Sequence, residues 1–103
     1  MLSKKFRLSR KEIETIHKNG RRLNAAGLSI KCLANNLDYS RFAVNVPVKV
    51  SKKATVRNRL RRIVYDEIGK AKPAGNLDCL IGIYRLGDEA VLRQKVKQIC
   101  ANL

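Results

Sequence analysis

The sequence predicts an α+β fold, a small α/β sandwich in which helices pack on a mixed sheet. Three observations predict it: stretches of helical periodicity alternate with stretches that repeat every second residue, 103 residues suffice for one domain, and 45% of them are hydrophobic. We therefore predict a single domain over residues 1–103 with the order α-β-β(-β)-α-β-α. The bracketed element is one more strand within residues 21–34.

The first predicted elements are a helix over residues 9–19 and a strand that follows it. Ser9 and Glu12 form the S-x-x-E pattern of a capping box, which marks a helix start. Gly20 suits the left-handed position that often follows a helix end. Residues 28–32 alternate between apolar and polar side chains, as is typical of a strand with one solvated face.

The second half of the chain contains the clearest strand, over residues 42–50, where valine recurs at alternate positions. Pro47 cannot donate to a strand ladder, so it indicates an edge or an end there. Residues 54–68 return to a helical period and are expected to end at the glycine that follows. A strand over residues 77–85 and a final helix capped by Asp88 complete the chain.

Basic residues dominate the charge, since 23 Lys and Arg against 8 Asp and Glu give a formal net charge of +15. Like charges at this density repel one another unless a polyanion neutralises them, which favours nucleic acid over a membrane surface as partner. No apolar stretch approaches the ~20 residues of a membrane-spanning helix, and no signal peptide is recognisable. The three separated cysteines favour buried thiols over a zinc site or disulfides. We therefore expect a cytoplasmic protein.

The most informative segment is residues 49–62, which holds seven basic residues and no acidic one. Most of them lie near the start of the predicted helix, where the helix dipole disfavours cations, and Arg57 and Arg61 stack as like charges one turn apart. Arginine also favours bidentate contacts to phosphate. Because this arrangement is unfavourable without an anion, we predict RNA contacts from Lys52, Lys53, Arg57, Asn58, Arg59, Arg61 and Arg62.

The stretch Ala54-x-x-Arg57-Asn58-Arg59-Leu60-Arg61-Arg62-x-Val64 resembles the signature of the bacterial ribonuclease P protein component. Arg7-Leu8 before the first helix and Asp78 before an apolar strand are also similar to that family. The resemblance implies a subunit of the ribonucleoprotein that removes the 5′ leader from precursor tRNA. It further implies that one protein binds one catalytic RNA, that the RNA makes the cut with Mg²⁺, and that the protein itself holds no cofactor.

The resemblance also implies a cleft for the single-stranded leader, which family members line with aromatic residues on the first helix and strand. This chain has Ile13 and His17 at the helix positions and no aromatic residue in the strand, so recognition is expected to depend on charge and shape instead of stacking. The chain also lacks a glycine usual after Ser51-Lys52-Lys53. The cleft residues implied are Ile13, His17, Lys31, Val46, Val48 and Lys49.

The inventory of reactive residues favours a protein without catalytic residues or a metal site of its own. The eight acidic residues are scattered, and the one histidine has no nucleophile spaced to form a catalytic set. A protein-only nuclease is therefore disfavoured. A DNA-binding helix is disfavoured because strands, not a partner helix, flank residues 54–68. The alternative that stays open is another binder of structured RNA, such as a ribosomal protein.

Overall fold

Four strands form one mixed sheet with helices on both faces. The computed structural model describes residues 4–25, 28–71, 75–84 and 87–101. The strands follow the spatial order β1-β2-β4-β3, with β1 antiparallel to β2, β2 antiparallel to β4, and β3 parallel to β4. The predicted class and element order are confirmed, including the additional strand in 21–34. The elements are α1 (Arg10–Asn19), β1 (Arg21–Ala25), β2 (Leu28–Ala34), β3 (Arg41–Asn45), α2 (Ala54–Ala71), β4 (Leu77–Ile83) and α3 (Glu89–Ala101).

The basic helix α2 connects the two parallel strands, β3 and β4. Parallel neighbours cannot be joined by a hairpin, so the connection must cross one face of the sheet, and α2 lies there beside α3. Its apolar stripe is buried in the main core, as its helical period predicts. This core combines Leu60, Ile63, Val64 and Ile68 of α2 with Phe42, Val44, Cys79, Ile81, Leu92 and Val96.

The opposite face of the sheet is covered in part by α1. Ile16 is fully buried there against Ala43 and Leu80. The predicted capping box is present, since the backbone N–H of Ser9 donates to Glu12 Oε1 at 2.7 Å and the Glu12 N–H donates to Ser9 Oγ at 3.4 Å. α1 thus has a fixed start and a fixed buried face, which sets where its last turn meets the sheet.

Two glycines differ from their predicted roles. Gly20 is extended, with φ −73° and ψ 150°, so the left-handed position predicted for it is wrong. A glycine fits there because a Cβ would lie 2.5 Å from the carbonyl oxygen of Ile16. Gly69 does not end α2, which continues to Ala71 because the last turn is supported by burial of Ile68.

The predicted strand over residues 42–50 is shorter than expected. β3 ends at Asn45, and the N–H of Val50 donates to the Pro47 carbonyl at 3.0 Å in a turn. The physical reason is that proline has no N–H for the ladder and so stops the pairing. Val48 and Lys49 consequently lie in an exposed turn that leads to α2 and not on the sheet.

An ion-pair network joins α1 to the sheet. Arg41 of β3 donates to both carboxylate oxygens of Asp78, from Nε at 2.9 Å and from Nη2 at 2.7 Å. Its Nη1 contacts Glu12 of α1, and the Asn35 amide donates to Asp78 Oδ1 at 2.8 Å. Burial opposes ionisation of Glu12, but hydrogen bonds from Ser9 and the charge of Arg41 outweigh it and lower the pKa of Glu12. Glu12 and Arg41 are therefore both charged at neutral pH and form an ion pair.

All three cysteines are buried free thiols, as predicted. Cys32 and Cys79 are cross-strand partners with Sγ atoms 3.0 Å apart. The hydrogen bond with Cys32, together with burial, raises the pKa of the Cys79 thiol. Burial raises the pKa of Cys100 to about 11.

The native protein is expected to resist alkylation of Cys79 and Cys100 by iodoacetamide at mildly alkaline pH. The thiolate is the reactive form, and here it is disfavoured and shielded from the reagent. Mass spectrometry of the intact protein over time measures the rate, and the urea-unfolded protein, which should react at every cysteine, is the control. Equal rates in the native and unfolded protein would show that these thiols are not held in the core.

Candidate RNA interface

The basic residues of α2 are divided between two flanks of the helix. Leu60 and Val64 point into the core, and Arg57 and Arg61 follow one another along the side next to β3. Tyr65 lies on the same side and accepts a hydrogen bond from the N–H of Val44 at 3.2 Å. Burial raises the pKa of Tyr65, so its hydroxyl stays neutral beneath these cations. We call this side the β3 flank, defined by Arg57, Arg61 and Tyr65.

The cations of the β3 flank have neutral partners. Arg57 Nη1 donates to the carbonyl of Ser51 at 2.8 Å, and Arg61 Nη1 donates to Asn58 Oδ1 at 2.5 Å. Among the described residues, neither guanidinium has a carboxylate within ion-pair distance. These contacts orient the two side chains and leave their charge uncompensated. The result is a pair of positioned cations suited to phosphate oxygens.

The opposite side, the α3 flank, is neutralised by acidic residues. Arg59 Nη2 lies 3.1 Å from Glu89 Oε1, and Arg93 Nη1 lies 2.9 Å from Asp66 Oδ2 and 2.8 Å from Glu67 Oε1. The hydrogen bond from Arg59 lowers the pKa of Glu89, and those from Arg93 and Lys70 lower that of Asp66. Arg59 therefore has a carboxylate partner, whereas Arg57 and Arg61 have neutral ones, although the sequence predicted RNA contacts from all three.

The other predicted RNA-binding residues are solvent-exposed. Lys52 and Lys53 lie just before α2, where the carbonyl of Lys53 accepts from the N–H of Val56 at 3.1 Å and from that of Arg57 at 3.2 Å. Asn58 and Arg62 are exposed, and Arg62 lies toward the α3 flank, where it lines a pocket with Arg59 and Glu89. Lys52 and Lys53 thus lie at the start of the helix that carries the β3 flank.

A groove lies on the part of the sheet that α1 leaves uncovered. Lys31 Nζ donates to the backbone carbonyl of His17 at 3.4 Å, which joins β2 to the last turn of α1 at one end of the groove. Strands β1 to β4 all contribute to it, so the side chains meet only in the folded sheet. Its lining residues are His17, Arg22, Ser29, Lys31, Asn45, Leu80, Gly82 and Tyr84.

The predicted cleft residues are only partly brought together. His17 and Lys31 line the groove, and Ile13 packs beside it under α1. Val46 does not belong there, because the alternation that buries Phe42 and Val44 carries it into the core on the other face, where it is 3% exposed. The prediction for Val46 is therefore wrong. Val48 and Lys49, predicted on the strand beside it, lie in the turn beyond β3.

The groove contains residues that the sequence analysis did not single out, above all Tyr84. The predicted cleft had no aromatic ring, whereas Tyr84 supplies one from the residue after β4. Alternation from Leu80 through Gly82 is the signal that places it on this face. Arg22 adds a cation from β1.

The described residues contain no group of three or more His, Cys, Asp or Glu side chains arranged to hold a metal ion. Within the same part of the chain, none of the helices is both long and apolar enough to cross a membrane.

Comparison with known proteins identifies the family. A family model described as ribonuclease P matches residues 2–102. The ribonuclease P protein component of Synechocystis sp. is 39% identical over 74 residues, which cover 70% of this chain and 60% of that protein's length. The ribonuclease P protein from Thermotoga maritima has a similar structure, with a TM-score of 0.83 and 25% identity, covering 94% of this chain and 96% of that one. The protein from Staphylococcus aureus shares the fold, with a TM-score of 0.81, 14% identity and 94% of each chain covered. This chain belongs to the ribonuclease P protein family.

Proposed function

We propose that this chain is the protein subunit of ribonuclease P, which binds the catalytic RNA through α2 and the 5′ leader of precursor tRNA through the groove. The single observation that carries the proposal is the uncompensated pair of cations on the β3 flank, Arg57 and Arg61, on the helix that holds the family's signature. Each phosphate that meets such a cation releases condensed counterions, which drives association with RNA.

The arrangement of the two surfaces supports separate partners for them. α2 packs on the face of the sheet that carries Ile81, and the groove lies on the face that carries Leu80. The catalytic RNA can therefore occupy the helix side while the groove stays open to a flexible single strand. The groove carries Arg22, Lys31 and Tyr84, and cations beside an aromatic ring suit an unpaired strand better than a duplex.

In this proposal the RNA subunit makes the cut and binds the Mg²⁺ that the reaction needs, and the protein holds no cofactor. The scattered carboxylates of the chain support this division of roles, because two-metal phosphodiester cleavage needs clustered oxygen ligands. The protein cations replace part of the counterion atmosphere of the RNA and so lower the Mg²⁺ that it requires. We further propose that one protein binds each catalytic RNA and that the complex acts in the cytoplasm.

Reconstitution tests this function directly. Ribonuclease P RNA is assayed on precursor tRNA at low Mg²⁺ with and without the protein, and the protein is assayed alone. We expect cleavage at the mature 5′ end only when the RNA is present, and a higher rate when the protein is added. If the protein has no effect on the RNA but binds ribosomal RNA at the same salt concentration, the alternative RNA-binding function is correct. Leader removal by protein that retains activity after ribonuclease treatment would assign the cut to the protein.

A further inference from the structure

Tyr84 is an exposed aromatic side chain at the end of the groove. It follows β4 directly and is 54% exposed, although large apolar side chains on this sheet are otherwise mostly buried. By alternation it lies on the same face as Leu80 and Gly82, and it lines the groove with them. An aromatic ring that is open to solvent in a cation-lined groove offers a surface for stacking.

Gly82 gives this ring its position. A Cβ at residue 82 would lie 3.0 Å from Tyr84 Cε2 and from its hydroxyl oxygen, and 3.1 Å from Cζ. The ring therefore folds back over the backbone of Gly82, and a Cβ at residue 82 would require the ring to shift by a few tenths of an ångström. Contact with the sheet on one side limits the motion of the ring and leaves its other side accessible.

The register of the sheet places polar groups and cations in rows beside this ring. Arg22 pairs with Lys31, and Lys31 pairs with Leu80, so the two cations form one row across the face. Ser29 and Asn45 are the cross-strand partners of Gly82 and form the next row. Successive rows on one face are about 7 Å apart, so an aromatic ring, hydrogen-bonding groups and cations all lie within the span of one or two nucleotides.

We propose that Tyr84 is the stacking platform for one unpaired base of the leader, with Arg22 and Lys31 holding the adjoining phosphates. Ser29 and Asn45 lie beside the stacked base and contact its edge. This inference rests on the proposed function and changes one of its expectations. Stacking is retained in this chain, but it is supplied from the end of β4 and not from α1, where Ile13 and His17 stand.

The chain contains no tryptophan, which allows a direct test of stacking. Tyr84→Trp places a single indole at the proposed platform, and its fluorescence is measured in the complex with ribonuclease P RNA. We expect quenching when precursor tRNA with a single-stranded leader is added and none with mature tRNA. Val91→Trp is the matched control, because Val91 is 50% exposed on α3, away from the groove, and its signal should not respond to the leader.

Affinity provides the second measurement. Tyr84→Ala in the same complex is expected to weaken binding of leader-bearing precursor about 5- to 150-fold, the range that corresponds to loss of one base–aromatic stack. Tyr84→Phe should keep most of the affinity, because the ring and not the hydroxyl carries the contact. Gly82→Ala should also weaken leader binding by displacing the ring. Binding of mature tRNA and of the catalytic RNA should be unchanged in all three variants.

The outcomes separate this inference from the function on which it rests. If the wild-type complex does not prefer leader-bearing precursor to mature tRNA, the proposed leader-binding function fails and the platform with it. If the wild-type complex shows that preference and Tyr84→Ala retains it fully, the groove binds leader without Tyr84 and only the platform is overturned. An equal loss of precursor and mature tRNA binding in Tyr84→Ala also overturns it.

Discussion

Replacing Arg57 and Arg61 together by alanine is expected to weaken binding of ribonuclease P RNA at least about 150-fold, since two contacts are lost and hydrogen bonds to charged groups contribute about 1.5–3 kcal/mol each. Both side chains are oriented by neutral partners, and neither has a carboxylate partner among residues that the structure describes. Each lost phosphate contact should also reduce the slope of log affinity against log salt by about 0.7–0.9. Filter binding at several KCl concentrations measures both quantities.

Arg59→Ala is the matched control for this pair. It removes the same charge from the same helix, but Arg59 is already paired with Glu89 on the α3 flank, so we expect a smaller loss of affinity. Arg57→Lys tests whether the shape of the guanidinium matters, because lysine retains the charge but cannot donate two parallel hydrogen bonds to a phosphate. If Arg59→Ala weakens binding as much as Arg61→Ala does, total charge and not the β3 flank determines the interaction.

Asp78→Ala is expected to lower the free energy of unfolding by about 2–4 kcal/mol, because removing one partner of a largely buried ion pair leaves the other unsatisfied. Arg41 would lose two hydrogen bonds and would keep only Glu12 as an ion-pair partner. The Asn35 amide would lose the carboxylate oxygen that accepts its hydrogen bond. α1 would then be held less firmly against β3. Urea denaturation followed by circular dichroism measures the change.

Asp66→Ala serves as the comparison for Asp78→Ala. Asp66 also accepts a hydrogen bond from an arginine, at 2.9 Å from Arg93, but its side chain is 36% exposed against 10% for Asp78, and ion pairs contribute less to stability as exposure increases. Arg93 would also keep Glu67 as a partner, at 2.8 Å. We expect its urea midpoint to stay close to that of the wild type. A similar loss in both variants would mean that burial of the Arg41–Asp78 pair is not what makes it important.

The helices and strands could be predicted from the sequence more fully than the contacts between side chains from different elements. The capping box and the apolar stripe of residues 54–68 are local patterns, so α1 and α2 could be located from them. Val46 shows the limit, because alternation defines two faces of a strand without stating which face packs against α2 and α3 and which carries the groove. Tyr84 was not predicted because β4 is buried along most of its length. Its sequence therefore has no alternation of polar and apolar residues that would show which side chains share a face. The pairing of Arg59 with Glu89 joins residues far apart in the chain, which no local pattern reveals.

The position of α2 as the connection between β3 and β4 couples RNA binding to the integrity of the whole domain. A terminal helix could unfold by itself, but unfolding of α2 removes the helix that packs against α3 on one face and the link between two paired strands. Any RNA held by α2 therefore acts as a folding ligand, which stabilises the native state by about 4 kcal/mol at a thousandfold excess over its Kd. Without that ligand, a chain of net charge +15 carries its full self-repulsion and is the form most exposed to proteolysis. Loss of that RNA would then lower the stability of the whole domain and not of one helix alone.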